Sequence, residues 1–263
     1  MKVLFVTQYE GISSSIILKK LAESKHKIIG VLTSKTLFPK KSLLSSFLEV
    51  IKKSGFRYFI MRITEAIYVK YYNFFRVIGF DKFKRYEAYQ VKEIIKKYNL
   101  KHIQVNDINS SQCLKTVKEL NPDIIVCCVF NQVFKKDLLN IPKYGCINIH
   151  RAMLPNYRGV SPTFWVLAND EKTTGITIYE MTEEVDTGSM LGQKEIEIKK
   201  YDTVATLSFR LMKEGSILLE DILNKIENHK SIKKIKIHKL IKYYSWPSKE
   251  AVKRFIKNKK KLF

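Results

Sequence analysis

The sequence predicts an α/β fold: an open, mostly parallel twisted sheet with helices on both faces, extended by a β-hairpin, a long helix and a short C-terminal segment. Three observations predict it. Short apolar runs alternate with amphipathic stretches through the first 150 residues, one run is apolar at every position, and the pattern becomes an alternating hairpin after Gly175.

Val3 to Val6 read as a first strand, a Gly/Ser turn follows (Gly11, Ser13, Ser14, Ser15), and Ile16 to Ser24 read as a helix. Ile28 to Leu32 complete a strand-helix-strand unit, whose right-handed crossover makes the two strands parallel and the fold Rossmann-like. The alternation resumes with a helix near Tyr86 to Tyr98, a strand near His102 to Val105 and a helix from Ser110 to Leu120. Ile124 to Val129 is apolar throughout, as a strand covered on both faces must be, and Tyr144 to Ile149 is a further strand. Ile176 to Met181 and Met190 to Ile198 form the hairpin, and Asp202-Thr203 cap a helix over Val204 to Glu227. Ile235 to Ile241 read as a last strand before a basic tail.

Between the two halves, residues 36–84 form an insertion rich in aromatic and basic residues that reads as helix. Arg57, Arg62, Glu65, Lys70 and Arg76 interrupt it too often for a membrane span. Packing against the domain or a second subunit is the reading favoured, with weak membrane-surface contact the alternative.

Hydrophobic residues make up 45% and charged residues 28%, ordinary values that exclude disordered and collagen-like classes. The start MKVLFVTQYE lacks the apolar length of a signal peptide, so a cytoplasmic protein is expected. Cys113, Cys127, Cys128 and Cys146 form no CxxC pair and have no histidine at ligand spacing, so buried thiols and no metal are expected. The net charge of +23, concentrated from Lys230 to Lys261, favours an anionic partner or a solvated lysine face.

Asn148 and His150 lie two apart at the end of a strand, so both side chains project from one face into the crevice beyond the strand ends. An amide donor beside an imidazole can hold a developing oxyanion and move a proton.

The surrounding residues resemble the central signature of the folate-dependent formyltransferases. The matching pieces stand in order: Asn148-Ile149-His150, Leu154-Pro155, Tyr157-Arg158-Gly159, Pro162, Trp165, Thr174-Gly175, Met181 and Asp186-Thr187-Gly188. The resemblance covers residues 1 to about 225 and is weakest in the insertion.

This resemblance implies a catalytic domain over 1–228 and a basic extension over 229–263. It also implies direct transfer of the formyl group of 10-formyltetrahydrofolate to a primary amine, with Asn148 and His150 holding the oxyanion. Asp186 would orient His150 and help relay the proton. The pterin would lie against Phe130, Asn131, Gln132, Val133 and Phe134, with Glu184 and Val185 of the turn after Glu183 closing its other side. Phe130 and Phe134 could equally be core. Similar enzymes carry Ser two residues after the histidine, and Ala152 stands there instead.

Ser13, Tyr157, Arg158 and Trp246 are the acceptor-side candidates: Arg158 for a phosphate or sugar, and Trp246 or its neighbours Tyr243 and Tyr244 for stacking or for anchoring the tail. Methionyl-tRNA formyltransferases add a C-terminal barrel for which residues 229–263 are too short. A nucleotide-linked (dTDP) amino-deoxy sugar of polysaccharide biosynthesis is therefore the expected acceptor, with methionyl-tRNA or another amine the alternative. Nucleic acid is not an expected partner, and a homodimer is.

Overall fold

The computed structural model describes residues 1–9, 13–34, 43–77, 90–237 and 242–263. In chain order its elements are β1 (Lys2–Gln8), α1 (Ser13–Ala22), β2 (Lys27–Ser34), α2 (Leu43–Ser54), α3 (Phe56–Val77), α4 (Val91–Lys97), β3 (His102–Gln104), α5 (Ser111–Leu120), β4 (Ile124–Cys128), α6 (Lys136–Leu139), β5 (Cys146–His150), α7 (Pro162–Ala168), β6 (Thr173–Glu180), β7 (Met190–Glu197), α8 (Val204–Glu227) and α9 (Lys249–Lys257). Gly11, the ends of the insertion, Tyr86 to Tyr89 and residues 238–241 lie outside the described residues.

The strands form one sheet in the order β3-β2-β1-β4-β5-β6-β7. β1 to β5 are parallel, and β6 and β7 are antiparallel additions at one edge. This is the mixed, doubly wound sheet that the alternation of apolar runs requires.

Alternation along each strand builds two core layers. Val3, Phe5, Ile124, Val126, Ile147 and Ile149 face one way, into the layer that contains Leu211, Leu219 and Leu223 of α8. Leu4, Val6, Ile125, Cys127 and Cys146 face the other, toward Cys113 and Val117 of α5 and Leu138 of α6. α8 lies close on the sheet because Gly215 has no side chain: a Cβ there would sit 2.5 Å from Ile176 Cδ1. Its start is fixed by Thr203, whose hydroxyl accepts from the Thr206 N–H at 3.1 Å.

Three stretches differ from the sequence reading. Pro162 to Ala168, inside the signature segment, form α7, buried at every position. Lys249 to Lys257, inside the basic tail, form α9, which buries Ala251, Val252 and Phe255. Phe255 stacks on Phe164 of α7 with centroids 4.5 Å apart, so its truncation to Ala would cost about 3–5 kcal/mol. The last strand expected from Ile235 is, among the described residues, a single antiparallel bridge between Ile235 and Met190. Two residues on, Ile237 packs partly buried against Leu154, Tyr179 and Met190.

Candidate active site

The register of β5 against β6 sets the site. Asn148 lies directly opposite Tyr179, and His150 opposite Thr177, so all four share one face at the carboxyl end of β5. Asn148 Nδ2 donates to the Tyr179 hydroxyl at 2.9 Å, and that hydroxyl donates to Asp186 Oδ1 at 2.6 Å. The direction is forced: a carboxylate can only accept, so Asp186 takes the phenol proton and the phenol oxygen must receive an N–H from Asn148. Burial first, then the charge of Asp186, pushes the Tyr179 phenol well above its ordinary range and keeps it a neutral donor.

Asp186 reaches this point on the loop between β6 and β7, with its backbone in the left-handed region (φ 56°). Its second oxygen, Oδ2, accepts from the Gly159 N–H at 2.6 Å and stands 3.6 Å from His150 Nδ1. His150 Nε2 is 2.9 Å from the Tyr157 carbonyl oxygen. Because a carbonyl offers no proton, Nε2 carries the hydrogen of that bond, and Nδ1 is the ring nitrogen that faces the carboxylate. His150 and Asp186 are 5% and 4% exposed, so this charge is held out of bulk water.

The loop after β5 is tied down from several sides. The Thr177 hydroxyl donates to the Ala152 carbonyl at 2.7 Å and accepts from the Leu154 N–H at 3.1 Å. Arg158 donates to Glu184 at 3.1 Å and to the Val185 carbonyl at 2.8 Å, and its guanidinium lies over the Tyr243 ring. The chain after α8 then closes the loop: the Val160 N–H donates to the Tyr244 carbonyl at 2.7 Å, and the Tyr244 N–H to the Arg158 carbonyl at 2.8 Å.

The residues singled out in the sequence fall into three groups. Asn148, His150 and Asp186 come together as one cluster. Gln132 pins the loop after β4, its side chain accepting from the Ile108 N–H at 2.8 Å and donating to the Asn106 carbonyl at 3.0 Å. Val133 is 48% exposed and Phe130 half-buried. Asn131 is half-buried between them, and Glu184 and Val185 face Arg158.

The others are placed as follows. Phe134 is fully buried in the α5 layer, edge-on to Phe130, and is core rather than a wall open to a ligand. Arg158 is buried and turned to the Asp186 loop rather than outward. Trp246 packs half-buried on the main core, while Tyr243 is 46% exposed. Tyr157 stacks on Tyr244 at 5.0 Å. Ser13 begins α1, 3.5 Å from Arg151, whose guanidinium also reaches Ser208 at 3.1 Å.

Neither Tyr179 nor Gly159, the latter noted only within the run Tyr157-Arg158-Gly159, is given a role by the sequence. Tyr179 sits in an alternating run where an aromatic is ordinary strand core, and only cross-strand register marks it out. Among the described residues, no group of three or more His, Cys, Asp or Glu side chains is placed to hold a metal ion.

Cys146 begins β5 and His150 ends it, so the two lie at opposite ends of the strand. A cavity of about 500 Å3 opens at the Cys146 end, lined by Leu139, Tyr144, Cys146, Met181, Thr182 and Glu183 among others and by none of the cluster side chains. Its volume lies within the about 300–1,000 Å3 usual for small-molecule sites.

Fold and site together define a Rossmann-like α/β protein with a half-buried amide, a buried imidazole and a buried carboxylate gathered at the carboxyl end of β5. Residues 79–223, more than half of the chain, match the Formyl transferase family, and the chain belongs to it. It is 42% identical over 139 residues to the methionyl-tRNA formyltransferase of Caldicellulosiruptor saccharolyticus, a match covering 52% of this chain and 45% of that one. The match thus spans under half the length of that relative.

Solved structures share the fold. Phosphoribosylglycinamide formyltransferase from Bacillus halodurans has a TM-score of 0.58 at 16% identity, covering 86% of this chain and 95% of that one. An N-formyltransferase from Helicobacter canadensis in complex with folinic acid and dTDP-3-aminofucose has a TM-score of 0.58 at 16% identity, covering 93% and 71%.

Proposed function

We propose that this protein transfers the formyl group of 10-formyltetrahydrofolate to a primary amine, and that Asn148, His150 and Asp186 carry the transfer. The observation that carries this reading is the convergence of the three side chains, linked through Tyr179 and the Gly159 N–H, at the end of β5.

The folate supplies an activated formyl carbonyl, and the loop after β4, with Phe130 and Asn131 half-buried and Val133 exposed, would hold its pterin against Glu184 and Val185. Asn148 gives one N–H to Tyr179 and keeps its second for the oxyanion that forms as the amine adds to the formyl carbon. Such a donor is worth about 10²–10³ in rate. His150, its Nε2–H fixed by the Tyr157 carbonyl, takes the amine proton on Nδ1. The imidazolium so formed faces Asp186, whose charge stabilises it beside the oxyanion. The carbon–N10 bond then breaks, and the proton passes to the departing nitrogen.

We read the acceptor as the amino group of a nucleotide-linked amino-deoxy sugar, carried by dTDP. The likeness to the dTDP-3-aminofucose-bound N-formyltransferase spans 93% of this chain and supports that reading. A second reading, methionyl-tRNA, is supported by the 42% identity to the methionyl-tRNA enzyme.

Incubation with 10-formyltetrahydrofolate and each acceptor in turn, followed by mass spectrometry, separates them. Gain of one formyl group by the dTDP-amino sugar is the expected result. Formylation of methionyl-tRNA alone would overturn the acceptor, and formylation of no amine would overturn the activity.

A further inference from the structure

We infer that the α2–α3 hairpin is a docking surface for an anionic phospholipid bilayer, on which the protein lies without crossing it. The sequence favours packing for these aromatic and aliphatic residues, with weak membrane-surface contact as the alternative. Among the described side chains of α3 only Tyr58 is buried, whereas Phe56, Ile60, Ile63, Ile67 and Tyr71 are 62, 41, 38, 52 and 61% exposed. At 100° per residue these five fall within an arc of about 80°, so they form one stripe along a helix about 33 Å long. Phe47 and Leu48 of α2 add 42 and 60% exposed side chains, and Phe47 meets Phe59 of α3 at 5.6 Å. Isolated exposed apolar residues are normal, but a continuous row on a single chain marks a surface that meets something else.

Charge identifies the occupant. Residues 43–77 carry six basic and two acidic side chains. Both acids are paired within their own helix, Glu49 with Lys53 at 2.8 Å and Glu65 with Arg62 at 2.5 Å. Lys52 and Arg57 are exposed beside the stripe. α9 packs against both helices and brings exposed Lys249, Lys253 and Lys257 together with Ile256 at 40% exposed. The stem of Lys249 covers the turn at Gly55.

An apolar row with tyrosines and a basic surround matches the acyl boundary and acidic headgroups of a bilayer. A second copy would instead bring two surfaces of the same sign together on a chain of net charge +23, without acids to answer the bases. Among the described residues no helix is long and apolar enough to cross a membrane, so α3 lies along the surface.

The test is flotation of the full chain with phosphatidylcholine vesicles, with and without about one-third phosphatidylglycerol. The protein is expected to float with the anionic vesicles at low salt, with binding at least about tenfold weaker to neutral vesicles and at high salt. Ile60→Glu with Ile67→Glu should abolish flotation while leaving the circular dichroism melt unchanged. Ile217→Glu, at an exposed position on α8, should float like the parent. Absence of flotation with anionic vesicles would overturn the proposal, as would flotation indifferent to the α3 substitutions. Sedimentation showing a dimer that the same substitutions dissociate, with no flotation, would assign the stripe to a second copy instead.

Discussion

The Tyr179 hydroxyl donates to Asp186 at 2.6 Å while accepting from Asn148, so one phenol joins the amide to the carboxylate across the β5–β6 pair. Tyr179→Phe keeps the ring in its packed place and removes both bonds. We expect kcat to fall about 10–100-fold with little change in the KM for either substrate, because the loss is of orientation in the transition state. Leaving a buried carboxylate oxygen without its donor should also cost about 1–3 kcal/mol, read as a lower denaturant midpoint.

Gly159 holds Asp186 through its N–H, and its φ of 110° suits glycine alone. A Cβ there would lie 2.2 Å from the Tyr244 carbonyl oxygen, so Gly159→Ala must displace the C-terminal arm or the loop. Backbone strain of about 1–3 kcal/mol is expected as a lower Tm, together with loss of formyl transfer. An unchanged Tm would show that the arm does not rest on this residue.

Arg158 holds the 184–185 segment through a guanidinium that meets a carboxylate, a carbonyl and an aromatic face together. Lysine keeps the charge but cannot reproduce that geometry, so Arg158→Lys should lower kcat while leaving the overall fold intact by circular dichroism. Equal activity of Arg158→Lys and the parent would remove Arg158 from the support of Asp186.

Burial raises the thiols of Cys113 to about 11 and of Cys128 and Cys146 to about 12, and raises Cys127 well above its usual value. In the unfolded chain these thiols ionise near their ordinary value of 9.0, so above that pH the unfolded state binds fewer protons than the native one. Stability is therefore intact below pH 9 and falls as pH rises from there toward about 12. At neutral pH native protein should resist iodoacetamide, and denaturant should expose all four thiols. Alkylation of Cys146 in the native state at the rate of a free thiol would contradict its burial.

Much of this architecture was legible because periodicity is a backbone property. α8 runs over Val204–Glu227 as read, and β5 ends at His150 as the two-residue spacing of Asn148 and His150 demanded. α7 was hidden because all seven of its residues are buried, which erases the polar face that identifies a helix. α9 was hidden for the opposite reason: Ala251, Val252 and Phe255 are outnumbered by Lys, Arg and Glu, and the stretch reads as tail. Tyr179 acts through a partner on another strand, Asn148, and cross-strand register is not written in local spacing. The turn of Arg158 toward the protein was likewise invisible, since arginine serves ligands and packing equally well, whereas Trp246 packs on the core as the tail-anchoring alternative allows.

The most direct measurement is single-turnover formylation by the parent and by His150→Ala, with 10-formyltetrahydrofolate and the dTDP-linked amino sugar, followed by mass spectrometry. The account predicts one formyl group gained per turnover with the parent and a rate at least about 10²-fold lower with the variant, at unchanged fold. A variant that formylates at close to the parental rate would contradict it.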